Sequence, residues 1–272
     1  MVDRLRLQWN RRAGLRALDL VFAEVGIEAV GKLPGISRLD GQLRGDAEAL
    51  SLTLPSQPTT LNLPQAFHQP FALSSLGGTL AFWSQDGQSH IGVDALDFAG
   101  AGYAGQARGE LVLPAGGGAP FLDLYASLDH ADVTAARQFW PLSMSPGTVE
   151  WLDRGLQSGR LDEAQVLVRG DLHDWPFRHN EGRFEARAMI SDLTLDYGKD
   201  WPHAEGIDAV ASFINGGMLV EASGGHALGV KAERAVALIP DFGDPLLDLN
   251  VQGSGSGASL MEFVRKSPIG IR

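Results

Sequence analysis

Apolar and polar residues alternate with a period of two along most of the chain, the spacing that sends successive side chains to opposite faces of a strand. Leu5, Leu7 and Trp9 interleave with Arg4, Arg6 and Gln8, and Leu18, Leu20 and Phe22 repeat the pattern. Leu50, Leu52 and Leu54 form a further run. Leu76, Leu80 and Phe82 connect to Ile91, Val93 and Ala95 through Ser84-Gln85-Asp86-Gly87, a turn signal that predicts an antiparallel pair. Leu111 with Leu113, Leu122 to Leu128, Val166 with Val168, Phe184 to Ala188 and Leu193 to Tyr197 continue the alternation, which then recurs between Val210 and Val251. Strand is the default element.

Helix is predicted at three places. Ser145-Pro146 supplies an N-cap and a proline at the first helical position, Val149, Leu152 and Leu156 follow at helical spacing, and Gly159 closes the segment. Shorter helices are predicted from Asp132 to Trp140 and from about Ser256 to Arg265. Each of these two follows a Leu-Asp-Leu strand: Pro120 with Leu122-Asp123-Leu124, and Pro245 with Leu247-Asp248-Leu249. Arg38-Leu39-Asp40 with Arg44-Gly45-Asp46 is echoed by Arg160-Leu161-Asp162 with Arg169-Gly170-Asp171. These echoes predict a first strand-rich unit over 1–131, a helical insert over 132–159 and a second strand-rich unit over 160–272, in one continuous elongated stack.

Composition works by exclusion. With 272 residues and 44% hydrophobic content the chain can bury a core, and its net charge of −11 argues against nucleic acid or an anionic bilayer as a charge-driven partner. The absence of cysteine excludes disulfides, thiolate nucleophiles and Cys-rich zinc sites. No run reaches the roughly 18 apolar residues of a spanning helix, and the first residues lack the apolar core of a signal peptide. Alternation that begins at the third residue reads as a segment of a longer protein.

Each candidate for chemistry has a plainer explanation. Gly100-Ala101-Gly102-Tyr103-Ala104-Gly105 has GxGxxG spacing, but the alternation from Gln106 to Leu113 predicts a strand where a dinucleotide site needs a helix N-terminus. None of the 7 histidines forms a helical i, i+4 pair, so no zincin-type metal site is expected, and Gly253 to Gly257 places glycine where GxSxG needs serine. Pairs such as Asp192 with Asp196, or Asp171 with Asp174, are what chance produces among 33 acids. Arg4, Arg6, Arg11, Arg12 and Arg16 form the one basic cluster; they read as solvated arginines, with orientation of a lipid headgroup as the functional alternative. Trp140-Pro141, Trp175-Pro176-Phe177 and Trp201-Pro202 read as chain corners, because proline holds the preceding residue extended.

The aromatic-proline pair Trp140-Pro141, the helix with Trp151-Leu152, Gly159, Gly170-Asp171-Leu172, Pro176-Phe177, Gly182 with Phe184, Tyr197 and Trp201-Pro202 together resemble the central region of the YhdP-like proteins of the AsmA superfamily in Gram-negative bacteria. LPGISRLDGQL upstream and IPDFGDPLLDL downstream extend the likeness over most of the chain. The resemblance implies a periplasmic segment of an inner-membrane-anchored, bridge-like protein that moves phospholipid toward the outer membrane. It also implies a mainly β fold, an elongated, curled antiparallel sheet with a few short helices, taco-like in section and with an apolar groove. No catalytic residue, cofactor or metal comes with it, and protein partners are not implied.

The alternation suits that role, since every second side chain can face acyl chains while the others stay wet. The expected lining of the groove is Leu50, Leu52 and Leu54, then Leu80, Phe82, Ile91 and Val93, then Leu111 and Leu113, and finally Leu193, Leu195, Phe213 and Leu219. The competing expectation is a scaffold module for envelope assembly with a filled core and no lipid. An enzyme acting on envelope glycans is a weaker third reading that would need convergent acids in a cleft.

Overall fold

The alternating runs do form strands. The structure, a computed structural model, describes residues 1–12, 14–31, 33–244 and 246–269. Its strands hydrogen bond in sequence order within one 14-stranded sheet, not closed into a barrel. The fold is thus mainly β, and every strand pairing described is antiparallel. Two compact units divide the chain, one of residues 1–128 with 166–183 and one of 129–165 with 184–272.

The first unit contains β1 (Val2–Asn10), β2 (Gly14–Ile27), β3 (Gly35–Gly45), β4 (Ala49–Asn62), β5 (Phe71–Gln85), β6 (Gln88–Gly100) and β7 (Tyr103–Leu113), with most of β8 (Phe121–Asp132). The second contains α1 (Pro146–Gly155), most of β9 (Leu156–Asp171) and β10 (Arg183–Leu195), and then β11 (Ala204–Ile214), β12 (Gly217–Ala227), β13 (Val230–Ile239), β14 (Asp248–Gly255) and α2 (Gly257–Arg265). Among the described residues no helix is long and apolar enough to cross a membrane.

Turn chemistry sets the hairpins. Asp86 and Gly87 both take positive φ, 51° and 77°, and join β5 to β6 with Gln85 opposite Gln88, the two-residue loop that matches strand twist. The GxGxxG run is another hairpin: Ala101-Gly102 links Gly100 to its partner Tyr103, with no helix after it.

Bulges bend the strands at matching points. Glu24 in β2 and Asp192 in β10 adopt φ of 54° and 52°. The N–H of Glu24 donates to Asp40 Oδ1 at 2.7 Å, and that of Asp192 donates to Asp208 Oδ1 at 3.2 Å, each acceptor 16 residues on. Register shifts there, between Phe22 and Val25 and between Ile190 and Leu193. This recurrence pairs β2–β3 with β10–β11, a different match from the Leu-Asp-Leu echo, whose Pro245 lies outside the described residues.

Two glycines mark places where neighbouring backbones come close. Gly78 has φ +151°, and a Cβ there would lie 2.5 Å from the Ala95 carbonyl oxygen; Gly109 has φ +156°, and its Cβ would lie 2.2 Å from the Asp123 carbonyl oxygen. Neither backbone conformation nor space admits a side chain.

The helices depart from expectation in detail. α1 starts as predicted, with Ser145 accepting from the Thr148 N–H at 3.2 Å, but it ends at Gly155 and Gly159 is already in β9. The helix predicted from Asp132 to Trp140 is present as a 3₁₀ helix over residues 133–139. Arg137 and Trp140 tie this insert together, donating to the Asp153 carbonyl at 2.7 Å and its carboxylate at 2.9 Å respectively. α2 begins after its Ser256 cap as predicted.

Gly109→Ala is expected to destabilise the fold by at least about 2 kcal/mol, whereas Gly147→Ala, with open space around it in α1, is expected to be neutral or slightly stabilising. Urea denaturation of the two variants checks the contrast. Ser145→Ala is expected to cost about 1 kcal/mol through loss of the cap, read in the same assay.

Candidate functional site

In an antiparallel pair, residues directly opposite each other present side chains on the same face. Strand register therefore shows which residues come together. In the first unit Leu5, Leu20, Leu43, Leu52, Leu80 and Val93 are successive partners across β1 to β6. Beside this row runs a second: Leu7, Leu18, Gly45, Leu50, Phe82, Ile91 and Leu111, from β1 to β7. At about 4.8 Å per strand the second row extends roughly 29 Å across the sheet.

The other face has opposite character. Arg6, Asp19, Arg44 and Ser51 are successive partners there, and Val21, Gln42, Thr53 and Thr79 form the next row. Asp19 accepts from the Gln42 amide at 2.6 Å and lies near Arg4 and Arg44; that hydrogen bond first, and the two guanidiniums after it, hold its carboxyl below the usual carboxylate range. Further along this face Trp83 stacks on His90, whose Nδ1 lies 2.6 Å from Glu110. Of the basic cluster, Arg4 thus shares one carboxylate with Arg44 across strands.

Of the expected lining, Leu50, Leu52, Leu54, Leu80, Phe82, Ile91, Val93, Leu111 and Leu113 share the apolar face of the first unit. Most are partly exposed, whereas Leu54, at 5% exposure, is buried. The sequence reading left out Leu5, Leu7, Leu18, Leu20 and Leu43, although the same alternation marks them and pairing adds them to the rows.

In the second unit Phe213 shares a face with Ala186 and Met218, while Leu193 and Leu195 lie opposite Ile207 and Ala204. Leu219 does not join Phe213: its partners are Ser212 and Leu238, on the other face. The one-residue offset that separates the two faces of a strand is responsible. Leu193 is buried at the end where Val133 reaches Gly159, so the insert fills the space around it. Much of the face carrying Phe213 is built from small residues: Ala188, Ala211, Val220 and Ala237 form one row, and Ala209, Ala222 and Ala235 form part of the next. Alanine is a weak marker of a face, so sequence alone passed over it.

Over 239 residues the chain is 25% identical to the intermembrane phospholipid transporter YhdP of Escherichia coli (strain K12), a match that takes in 87% of this chain and 19% of that protein. The chain thus spans about a fifth of that relative's length. No solved structure matches. The model of the family described as YhdP protein matches residues 1–271, so the chain belongs to the YhdP family.

Proposed function

We propose that the chain is a segment of a phospholipid carrier that works without chemistry, shielding acyl chains on the apolar face of its sheet during movement between inner and outer membrane. The observation that supports this most is the pair of apolar rows across β1 to β7, kept in register and backed by a polar face. The relative's name supplies the cargo class. In this reading the segment works in the periplasm, and anchoring in the inner membrane belongs to the longer protein.

The physical demand is large. A diacyl phospholipid carries about 30 methylenes, and at about 0.8 kcal/mol each their exposure to water opposes transfer by roughly 24 kcal/mol. Aliphatic side chains meet that demand without directional contacts, so they can hold a lipid and still let it slide. The reading assigns no catalytic group, cofactor or metal.

The competing reading, a scaffold module with a filled core, draws on the buried residues Leu39, Leu54 and Leu76. Native mass spectrometry of the purified chain separates the two. A bound mass of phospholipid size is expected, lost at least tenfold in Leu80→Glu and retained in Thr79→Glu, which puts the same charge on the opposite face. A spectrum free of lipid for the unaltered chain, with no apolar dye bound, would overturn the carrier.

A further inference from the structure

We infer that lipid sits in the first unit one way round, with its headgroup at the rim formed by the β1–β2, β3–β4, β5–β6 and β7–β8 connections and its acyl chains directed toward Leu54 and Leu76. This rests on the carrier reading and adds the orientation of the cargo.

Strands paired antiparallel in sequence order place alternate connections at the same end of the sheet. One end therefore carries Arg11-Arg12, Asp46-Ala47-Glu48, Asp86-Gly87 and residues 114–120. The other carries residues 28–31 and 33–34, residues 63–70 and Ala101-Gly102. The density of charge differs between them. At the first end Arg11, Arg12, Asp46, Glu48 and Asp86 are exposed, so charges of both signs line the rim. Among the described residues, the connections at the second end hold one exposed carboxylate, Glu28, with the neutral polar Gln65, His68 and Gln69, and are richer in apolar residues, including Val30, Leu33, Leu63, Pro64 and Phe67.

Packing differs in the same sense. Near the second end Leu39, Leu54, Leu76 and Tyr103 are buried, and burial pushes the Tyr103 phenol above its usual pKa. The protein's own side chains occupy this space. A Cβ at Gly41 would lie 2.8 Å from the Phe22 ring, and one at Gly105 would lie 2.9 Å from Leu128. Toward the first end the same face opens: Leu43, Leu50, Phe82 and Leu111 are partly exposed, and Leu113 is 39% exposed.

A phospholipid has one charged end that must stay hydrated or paired and one apolar end that must stay dry. Open, charged turns meet the first need, and the aliphatic rows below them, closing toward Leu54 and Leu76, meet the second. The opposite placement would press the headgroup into hydrocarbon. Mixed charges on the rim suit a zwitterionic headgroup, with phosphate toward Arg11 and Arg12 and the cationic group toward Asp46 or Glu48 in the next turn at this end.

The chain contains no cysteine, so single cysteines report cleanly. Leu113→Cys marks the charged rim, Ala101→Cys the opposite one, and Leu52→Cys the rows between; each is labelled with a small fluorophore. Two probes are used: phosphatidylcholine with a nitroxide on its headgroup, and the same lipid with the nitroxide near the acyl terminus. Headgroup nitroxide is expected to quench at position 113 several-fold more than at 101, and tail nitroxide to quench at 52. Equal or reversed headgroup quenching, with tail quenching at 52 retained, would overturn the orientation and leave the carrier standing. Absence of quenching at 52 by either probe would overturn both. Positions 113 and 101 are exposed, so these two substitutions leave the fold intact.

Discussion

Side chains that face each other across antiparallel strands, repeated without slipping from one strand to the next, are the constraint on which the first unit depends. Leu20 lies beside Leu43 only because Asp19 lies beside Arg44 on the reverse face. A slip of one residue on β2 would carry Asp19 into the aliphatic row and Leu20 among the charges, losing apolar burial and desolvating a carboxylate together. Hydrophobic pattern and ion pairing therefore specify the same register. Even the irregularity in β6 respects it. Between Val93 and Leu96 that strand holds one residue more than β5 and β7 do in the matching interval, so both neighbours stay in phase with it.

Close backbone approach is the second ingredient, and it couples to the first. At Gly78 and Gly109 no side chain fits, and both lie on the apolar face among leucines and valines. Bulges and glycines of this kind add twist and bend to strands that would otherwise lie flat. At Gly41 the space of the missing side chain is taken by the Phe22 ring and a Leu54 methyl, and at Gly105 a Leu128 methyl and the Phe98 ring adjoin a close Ser127 carbonyl. The same residue type thus brings strands together along the rows and lets one end of the face fill with hydrocarbon.

Much of this was legible in the sequence, for a physical reason. Strand periodicity is two, so Leu50, Leu52 and Leu54 must share a face wherever they form a strand, and the Asp86-Gly87 turn fixes how Leu80 and Phe82 meet Ile91 and Val93. Less legible was anything that depends on a neighbour distant in sequence. Leu219 reads as well as Phe213 on its own strand, yet pairing with Ser212 puts it on the other side. The alanine rows of the second unit carry little hydrophobic signal singly and acquire meaning only when β10 to β13 align them. The end of α1 is hidden for a similar reason: Leu156 continues the helical spacing, but it begins β9 instead.

The direction of the rows bears on how a carrier of this kind would move its cargo. They run across the strands, so a lipid displaced along them leaves one strand's aliphatic side chains as it reaches the next, about 4.8 Å away. Each step exchanges one set of non-directional contacts for another of the same kind, and no hydrogen bond or ion pair in the two rows has to break. The free energy that opposes movement is then only the unevenness between successive positions, such as Gly45 against Leu50 or Leu50 against Phe82, and not the roughly 24 kcal/mol of exposing the tails to water. A site that held its ligand through buried polar contacts would bind more selectively and release more slowly. In the proposed role the apolar, non-directional character of the rows is what separates passage from storage.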